Sequence, residues 1–204
     1  MDEKKSKQQE RLEKQLAFSL EIDKEKEIGR QTLLADASRA ENDAEHAWHM
    51  AIMAYLMQEH SNEKIDLLRT IMMILTHDLV EVYAGDTYAY DEEGKKTQKQ
   101  RELAAADRLY SLLPEDQAQD LRALWDEFEA GETPEARFAR TMDNLQPMML
   151  NVAAGGLAWT SKNVRLEQVL ERNSYTHEGS EFFWEYALEH FLKPSVEKGW
   201  LIKD

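Results

Sequence analysis

Residues 71–86 read IMMILTHDLVEVYAGD, and the reading of this stretch decides the fold. Ile71, Met72, Met73, Ile74 and Leu75, then Leu79 and Val80, make it apolar on nearly every side. A helix of that kind is buried at the centre of a bundle. The pattern therefore predicts a helix over 65–82, capped by Ser61 or Asn62. Inside the apolar run sits His77-Asp78. A carboxylate there needs a partner, because burying an uncompensated charge is costly. Two arrangements answer that need. One is a core histidine beside an aspartate paired to an arginine, which a lone dipeptide favours. The other is a metal beside the helix, since imidazole nitrogen and carboxylate oxygen both ligate at about 2.0–2.2 Å.

The residues that follow favour the metal when taken together. Glu81 lies one turn beyond Asp78 and projects toward the same side. There it is either a solvent-facing glutamate or a carboxylate that moves the proton of a metal-bound water. Asp86 follows Gly85 in a polar, tyrosine-rich loop over 83–95, and alone it reads as a turn aspartate. Upstream, Asn42 and Glu45 have the spacing of a capping box for a helix running to about residue 60. Ala47, Met50, Ala51, Ala54 and Tyr55 would share its apolar side, and His46 stands in its first turn. Downstream, Ala139, Asp143, Gln146 and Leu150 form a core-facing stripe, so Asp143 wants either a metal or an arginine. Two imidazoles and two carboxylates would suit Mn, Fe, Co, Ni or Zn rather than Ca.

Composition narrows the class. The chain has 204 residues, which fits one domain. With 8 Gly and 4 Pro it is too poor in turn residues for an all-β fold. The expectation is an all-α, single-domain helical bundle, with a polar segment over 1–15 preceding a domain over 16–204. The first helix should start at Leu16, and 30–41 should be a loop carrying Arg30 and Arg39. Further helices are expected over 96–112 and 115–130, from Pro134 to about Ala154 with a kink at Pro147, and near 164–172 and 180–198. The net charge of −15 leaves no basic stripe for a nucleic acid polymer. The absence of Cys excludes thiolate sites and a Cys nucleophile. No apolar run approaches the roughly 18 residues that span a bilayer. Residues 1–15 lack an apolar signal core, so a cytoplasmic protein is expected. Trp184, Tyr186 and Trp200 read as core or dimer contacts, and a homodimer is expected.

The run R-x-E-N-x-x-E-H from Arg39 to His46, the run HDLVEVYAGD from His77 to Asp86, and the later Asp143 resemble the HD-domain superfamily of metal-dependent phosphohydrolases. LPED at 113–116 and LWDEFE at 124–129 extend the likeness, which covers roughly residues 25–155 and is nearest to the 5′-deoxynucleotidases. The resemblance implies an HD-type helical bundle, one divalent metal on His46, His77, Asp78 and Asp143, and hydrolysis of small phosphomonoesters such as nucleoside 5′-monophosphates. It gives Glu81 proton transfer, places Asp86 beside the phosphate, and matches Arg30 to a phosphate-contacting arginine, with Arg39 as a second candidate. Gln31 stands where the deoxynucleotidases carry a tryptophan that shapes the sugar pocket, which implies a changed sugar preference. Alarmone or dNTP hydrolysis is the alternative chemistry, and a non-catalytic nucleotide-binding regulator the alternative class. Retention of Glu81 and Asp86 beside four ligands weighs against a regulator. No His lies between Leu79 and Met142, so one metal rather than two is expected.

Overall fold

In the computed structural model, which describes residues 3–203, helix α1 spans Glu3–Glu21. This corrects the expected helix start at Leu16; Met1 and Asp2 lie outside the described residues. Within the helix, residues before Leu16 contact distant partners. Arg11 forks onto both Asp116 oxygens at 2.7 and 2.8 Å, and Gln15 donates to Gln117. Phe18 is buried, whereas Leu16 and Leu20 stay exposed.

After a 3-10 turn at Ile22–Glu27, strands β1 (Gly29–Leu33) and β2 (Ala40–Asn42) pair antiparallel, with Gly29 opposite Asn42 and Leu33 opposite Ala40. This hairpin replaces the loop expected over 30–41. Its strands are polar and too short to display a period of two. Its turn is closed by Asp36, whose carboxylate accepts from the backbone and hydroxyl of Ser38.

The hairpin delivers the chain to helix α2, Asp43–Met57. Asn42 caps it as its spacing predicts: the side chain accepts from the Glu45 amide at 2.9 Å, and Glu45 accepts from the Asn42 amide at 3.1 Å. Met50, Met53 and Ala54 are buried, but Tyr55 is 60% exposed and does not share the core face. Asn42→Ala removes one half of this reciprocal cap and should cost about 0.5–2 kcal/mol. A urea melt of the variant with an unchanged midpoint would contradict that.

Helix α3 spans Leu67–Thr76 and is capped by Asp66, not by Ser61 or Asn62. It is amphipathic rather than apolar all round, with Leu68 71% and Leu75 39% exposed. It also ends six residues before the predicted limit. His77 Nδ1 donates to the Ile74 carbonyl at 2.7 Å and takes up an acceptor that the next turn would have used. The chain turns through His77–Val80 and resumes as α4, Glu81–Ala84, which Gly85 stops at φ 74°.

Helices α5 (Glu92–Tyr110) and α6 (Glu115–Ala130) follow. Gly94, inside the loop expected over 83–95, lies in the first turn of α5, where the Asp91 carboxylate accepts from its amide. Helix α7, Pro134–Ala153, is capped by Thr133 and contains Pro147. Five short helices complete the chain: α8 (Leu157–Ser161), α9 (Leu166–Arg172), α10 (Thr176–Gly179), α11 (Glu181–Ala187) and α12 (Lys193–Glu197). None of the helices among the described residues is long and apolar enough to cross a membrane.

The fold is all-α apart from the hairpin, with α7 as its spine. Phe138, Ala139, Met142 and Leu145 pack with Met50, Met53, Met73 and Ile74 of α2 and α3. Further along α7, Met148 joins Trp159, Val164, Val169 and Leu192. A third cluster of Phe18, Leu79, Val80, Leu109 and Trp125 packs under the turn at His77. Helix α10 lies close on α7: a Cβ on Gly179 would meet the Arg137 carbonyl at 2.4 Å, so only glycine fits there.

Candidate metal centre

The chemistry-bearing side chains come from four places. His46 is in the first turn of α2, His77 and Asp78 are in the turn between α3 and α4, Asp143 and Gln146 are on α7, and Arg30 is on β1. The imidazoles of His46 and His77 lie with ring centroids 5.6 Å apart. Asp143 Oδ1 is 3.1 Å from His46 Nε2 and 3.9 Å from His77 Nε2. One ligand atom from each of these three residues lies within 4.8 Å of the others, a spacing that one cation can bridge. Asp78 stands beside this group, its Oδ2 3.0 Å from His77 Nε2 and 2.7 Å from Arg30 Nη1.

Both rings are oriented from behind. His77 Nδ1 faces the Ile74 carbonyl and His46 Nδ1 faces Gln146 Oε1 at 3.0 Å, and each of these acceptors requires the hydrogen on Nδ1. Gln146 itself is set by Glu41, whose carboxylate accepts from Gln146 Nε2 at 2.8 Å. Each Nε2 therefore faces carboxylate oxygens, His46 toward Asp143 and His77 toward Asp78. A nitrogen facing a carboxylate oxygen holds a cation between them, a proton or a metal, and the convergence of both histidines on Asp143 fits a divalent metal of the kind bound by mixed nitrogen and oxygen ligands.

The electrostatics agree. Burial opposes a charge on His77, yet the Asp78 and Asp143 carboxylates raise its pKa to about 9. For His46, burial and Arg30 likewise oppose charge, and the hydrogen bonds to Asp143 and Glu41 outweigh them. Burial would raise Asp143, but the His46 bond and the charges of Arg172 and His77 hold it well below the usual carboxylate range. Asp78 is lowered despite its burial by His77 and Arg30. The site is thus built to attract positive charge.

Arg30, His77, Asp78 and Asp143 line a cavity of about 360 Å³, within the range that takes a small ligand. Glu81 lines it, is 92% buried, and has no hydrogen-bond partner for Oε2. Burial first, and then the charges of Asp78, Asp43 and Asp86, push Glu81 well above the usual carboxylate range. Asp86 also lines the cavity, and burial raises it too. Arg30 sits among carboxylates, 2.7 Å from Asp78, 3.3 Å from Asp43, 3.6 Å from Glu41 and 4.0 Å from Asp143. Gln31 reaches the cavity wall, where its carbonyl accepts from Lys162. Arg39 does not belong here. The hairpin carries it to the outside of α2, where it forks onto Glu45 and is over half exposed.

The sequence reading gives no role to Glu41, although it stands in the R-x-E-N-x-x-E-H run, nor to Asp43, Lys162 or Arg172. The acids had a signal. In β2 the middle residue of three is Glu41, buried between two less buried neighbours, but this pattern is readable only once the strand is known. Arg172, at the end of α9, donates to Asp143 Oδ2 at 3.1 Å, and no local pattern announces a contact across 29 residues.

Comparison with known proteins places these features in a family. Residues 22–184 match the family described as HD domain. The human 5′-deoxynucleotidase HDDC2 is 29% identical over 114 residues, which are 56% of this chain and 54% of that protein. The match therefore spans about half the length of that relative. A 5′-deoxynucleotidase of Pectobacterium atrosepticum is 27% identical over 76% of this chain and 82% of its own. A crystal structure of a predicted metal-dependent phosphohydrolase from Magnetospirillum magnetotacticum superposes with a TM-score of 0.89 at 44% identity, covering 94% of this chain and 95% of that one. With its helical bundle and its paired histidines beside Asp143, this chain belongs to the HD-domain family.

Proposed function

We propose that the protein is a metal-dependent phosphomonoesterase acting on small phosphorylated metabolites, nucleoside 5′-monophosphates foremost. One observation carries this reading: ligand atoms of His46, His77 and Asp143 lie within reach of one cation, and His77 and Asp143 line a cavity that Arg30, Asp78 and Glu81 also line. The relatives named 5′-deoxynucleotidase and the structure named as a metal-dependent phosphohydrolase support it.

In this reading His46, His77, Asp78 and Asp143 hold one divalent ion, Mn, Fe, Co, Ni or Zn. When bound, such an ion polarises a phosphoryl oxygen and lowers the pKa of water toward about 7. Arg30 balances phosphate charge with a guanidinium fork. Glu81, buried and without a partner for Oε2, gives a proton to the 5′-oxygen that leaves phosphorus. Asp86 stands beside it as the second proton-handling carboxylate. Screening phosphorylated metabolites against several divalent metals, read as phosphate release, tests the substrate class. Release confined to phosphodiesters or to nucleoside triphosphates would contradict it.

Gln31 bears on the sugar. Its amide and the Lys162 ammonium form a polar pair at the cavity wall. Polar donors there accept a ribose 2′-hydroxyl, so kcat/KM on matched ribo- and deoxyribonucleotides should differ little. A deoxy preference beyond roughly a hundredfold would contradict this.

We also read the protein as a cytoplasmic homodimer that binds neither a membrane nor a nucleic acid polymer. The dimer reading is supported by an apolar stripe on α2, where Trp48, Ile52, Tyr55 and Leu56 are 47–65% exposed. Light scattering on wild type and Trp48→Glu should give a dimer and a monomer; a wild-type monomer would contradict it.

A further inference from the structure

Arg172 lies outside the run of motifs around the metal centre, and it touches that centre. Its Nη2 donates to Asp143 Oδ2 at 3.1 Å, whereas Asp143 Oδ1 faces His46 and Arg30. The two guanidinium groups therefore approach the Asp143 carboxylate from its two different oxygens. Arg172 also lines the cavity, and its side chain keeps 33% of its surface exposed, against 14% for Arg30. Bonds to Asp143 and to the Tyr175 hydroxyl engage two of its five N–H groups. Those bonds also fix its position. Tyr175 is held by Arg140, which stacks over the ring at 4.2 Å, and Asn173 secures the end of α9 by donating to the Val169 carbonyl.

Charge balance gives this arrangement a purpose. Glu41, Asp43, Asp78 and Asp143 all lie within 4.0 Å of Arg30, so its positive charge is already matched several times over. A phosphate dianion entering a cavity that also holds Glu81 and Asp86 needs a cation with fewer commitments. Arg172 lines the cavity with one carboxylate partner among the described residues and three N–H groups left beyond its two bonds, and a guanidinium suits phosphate oxygens.

We propose that Arg172 is a second phosphate-binding residue, which meets the substrate's phosphate group from the Oδ2 side of Asp143 while Arg30 serves the other side. The proposal rests on the phosphomonoesterase reading for its substrate, but its test does not depend on turnover. Metal-reconstituted full-length protein, wild type, Arg172→Met and Arg172→Lys, is titrated with inorganic phosphate by calorimetry. Metal content is measured on the same samples, and KM and kcat for a nucleoside 5′-monophosphate alongside.

Arg172→Met should retain its metal and bind phosphate about 10- to 100-fold more weakly. KM should rise in step and kcat should change less. Arg172→Lys should fall between, because it keeps the charge and loses the fork. Should the Met variant not fold, wild-type phosphate affinity in the folded Lys variant would overturn the proposal. So would unchanged phosphate affinity in the Met variant, or a loss of metal with unchanged affinity in the chains that remain loaded. Phosphate binding that depends on Arg172 in a protein that hydrolyses no nucleotide would leave this inference standing and remove the reading of function. Nucleotide hydrolysis with phosphate binding indifferent to Arg172 would do the reverse.

Discussion

Glu81→Gln is expected to leave the metal in place and to slow phosphate release by about 10²–10⁴-fold, the usual worth of a positioned acid–base group. Glutamine is nearly isosteric and keeps the packing at the start of α4, but it carries no exchangeable acid proton. The expectation follows from position. Glu81 is the first residue of α4, Gly85 donates to its carbonyl at 2.7 Å, and its side chain lines the cavity with Oε2 unpartnered. A buried carboxyl group surrounded by Asp78, Asp43 and Asp86 is held toward its protonated form, and replacing it with an amide also removes a potential negative charge. The variant should therefore be at least as stable as wild type. Phosphate-release rates on matched, metal-loaded samples decide the matter, and a rate within threefold or so of wild type would reduce Glu81 to a bystander.

Asp78→Ala is expected to lower metal content after chelation and reloading well below one ion per chain, and to abolish most of the stability that metal adds. An ion present at about a thousand times its dissociation constant stabilises the folded state by about 4 kcal/mol, and here that increment depends on the ligands acting together. Asp78 does two things in this site. It offers an oxygen beside His77 Nε2, and it holds Arg30 at 2.7 Å. Its loss leaves three ligands and frees a guanidinium within 4.0 Å of Asp143, so a positive group would compete for the carboxylate that remains. Thermal melts with and without metal check this. Wild type should gain and the variant should not; an equal gain in both would remove Asp78 from the ligand set.

Where signals are local, the sequence reads well. Asn42 with Glu45 and Thr133 with Pro134 mark the starts of α2 and α7 because each cap is complete within a few residues. The core-facing stripe of Ala139, Asp143 and Gln146 is likewise visible as a period on α7, and all three are buried. Where a distant partner decides, the sequence reads poorly. The helix through residues 71–82 looks unbroken, although it ends at a local bond from His77 to the Ile74 carbonyl three residues back; what the sequence does not display is the ring of His46 that His77 meets across the fold. Helix α1 meets the rest of the fold through Arg11 on Asp116, 105 positions away. The hairpin that presents Arg30 to the acids and carries Arg39 away from them has strands of five and three residues, too short for periodicity to register. Gln146 reads as a core residue, but its role in holding His46 and Glu41 exists only in three dimensions.

The central claim is that phosphomonoester hydrolysis depends on a metal held at His46, His77, Asp78 and Asp143. The measurement that tests it most directly is phosphate release from a nucleoside 5′-monophosphate by one protein sample, taken as purified, after exhaustive chelation, and after reloading with a single divalent transition metal. The account predicts loss of release on chelation and recovery on reloading, with Asp143→Asn inactive throughout. Release that survives chelation, or that Asp143→Asn supports as well as wild type, would contradict it.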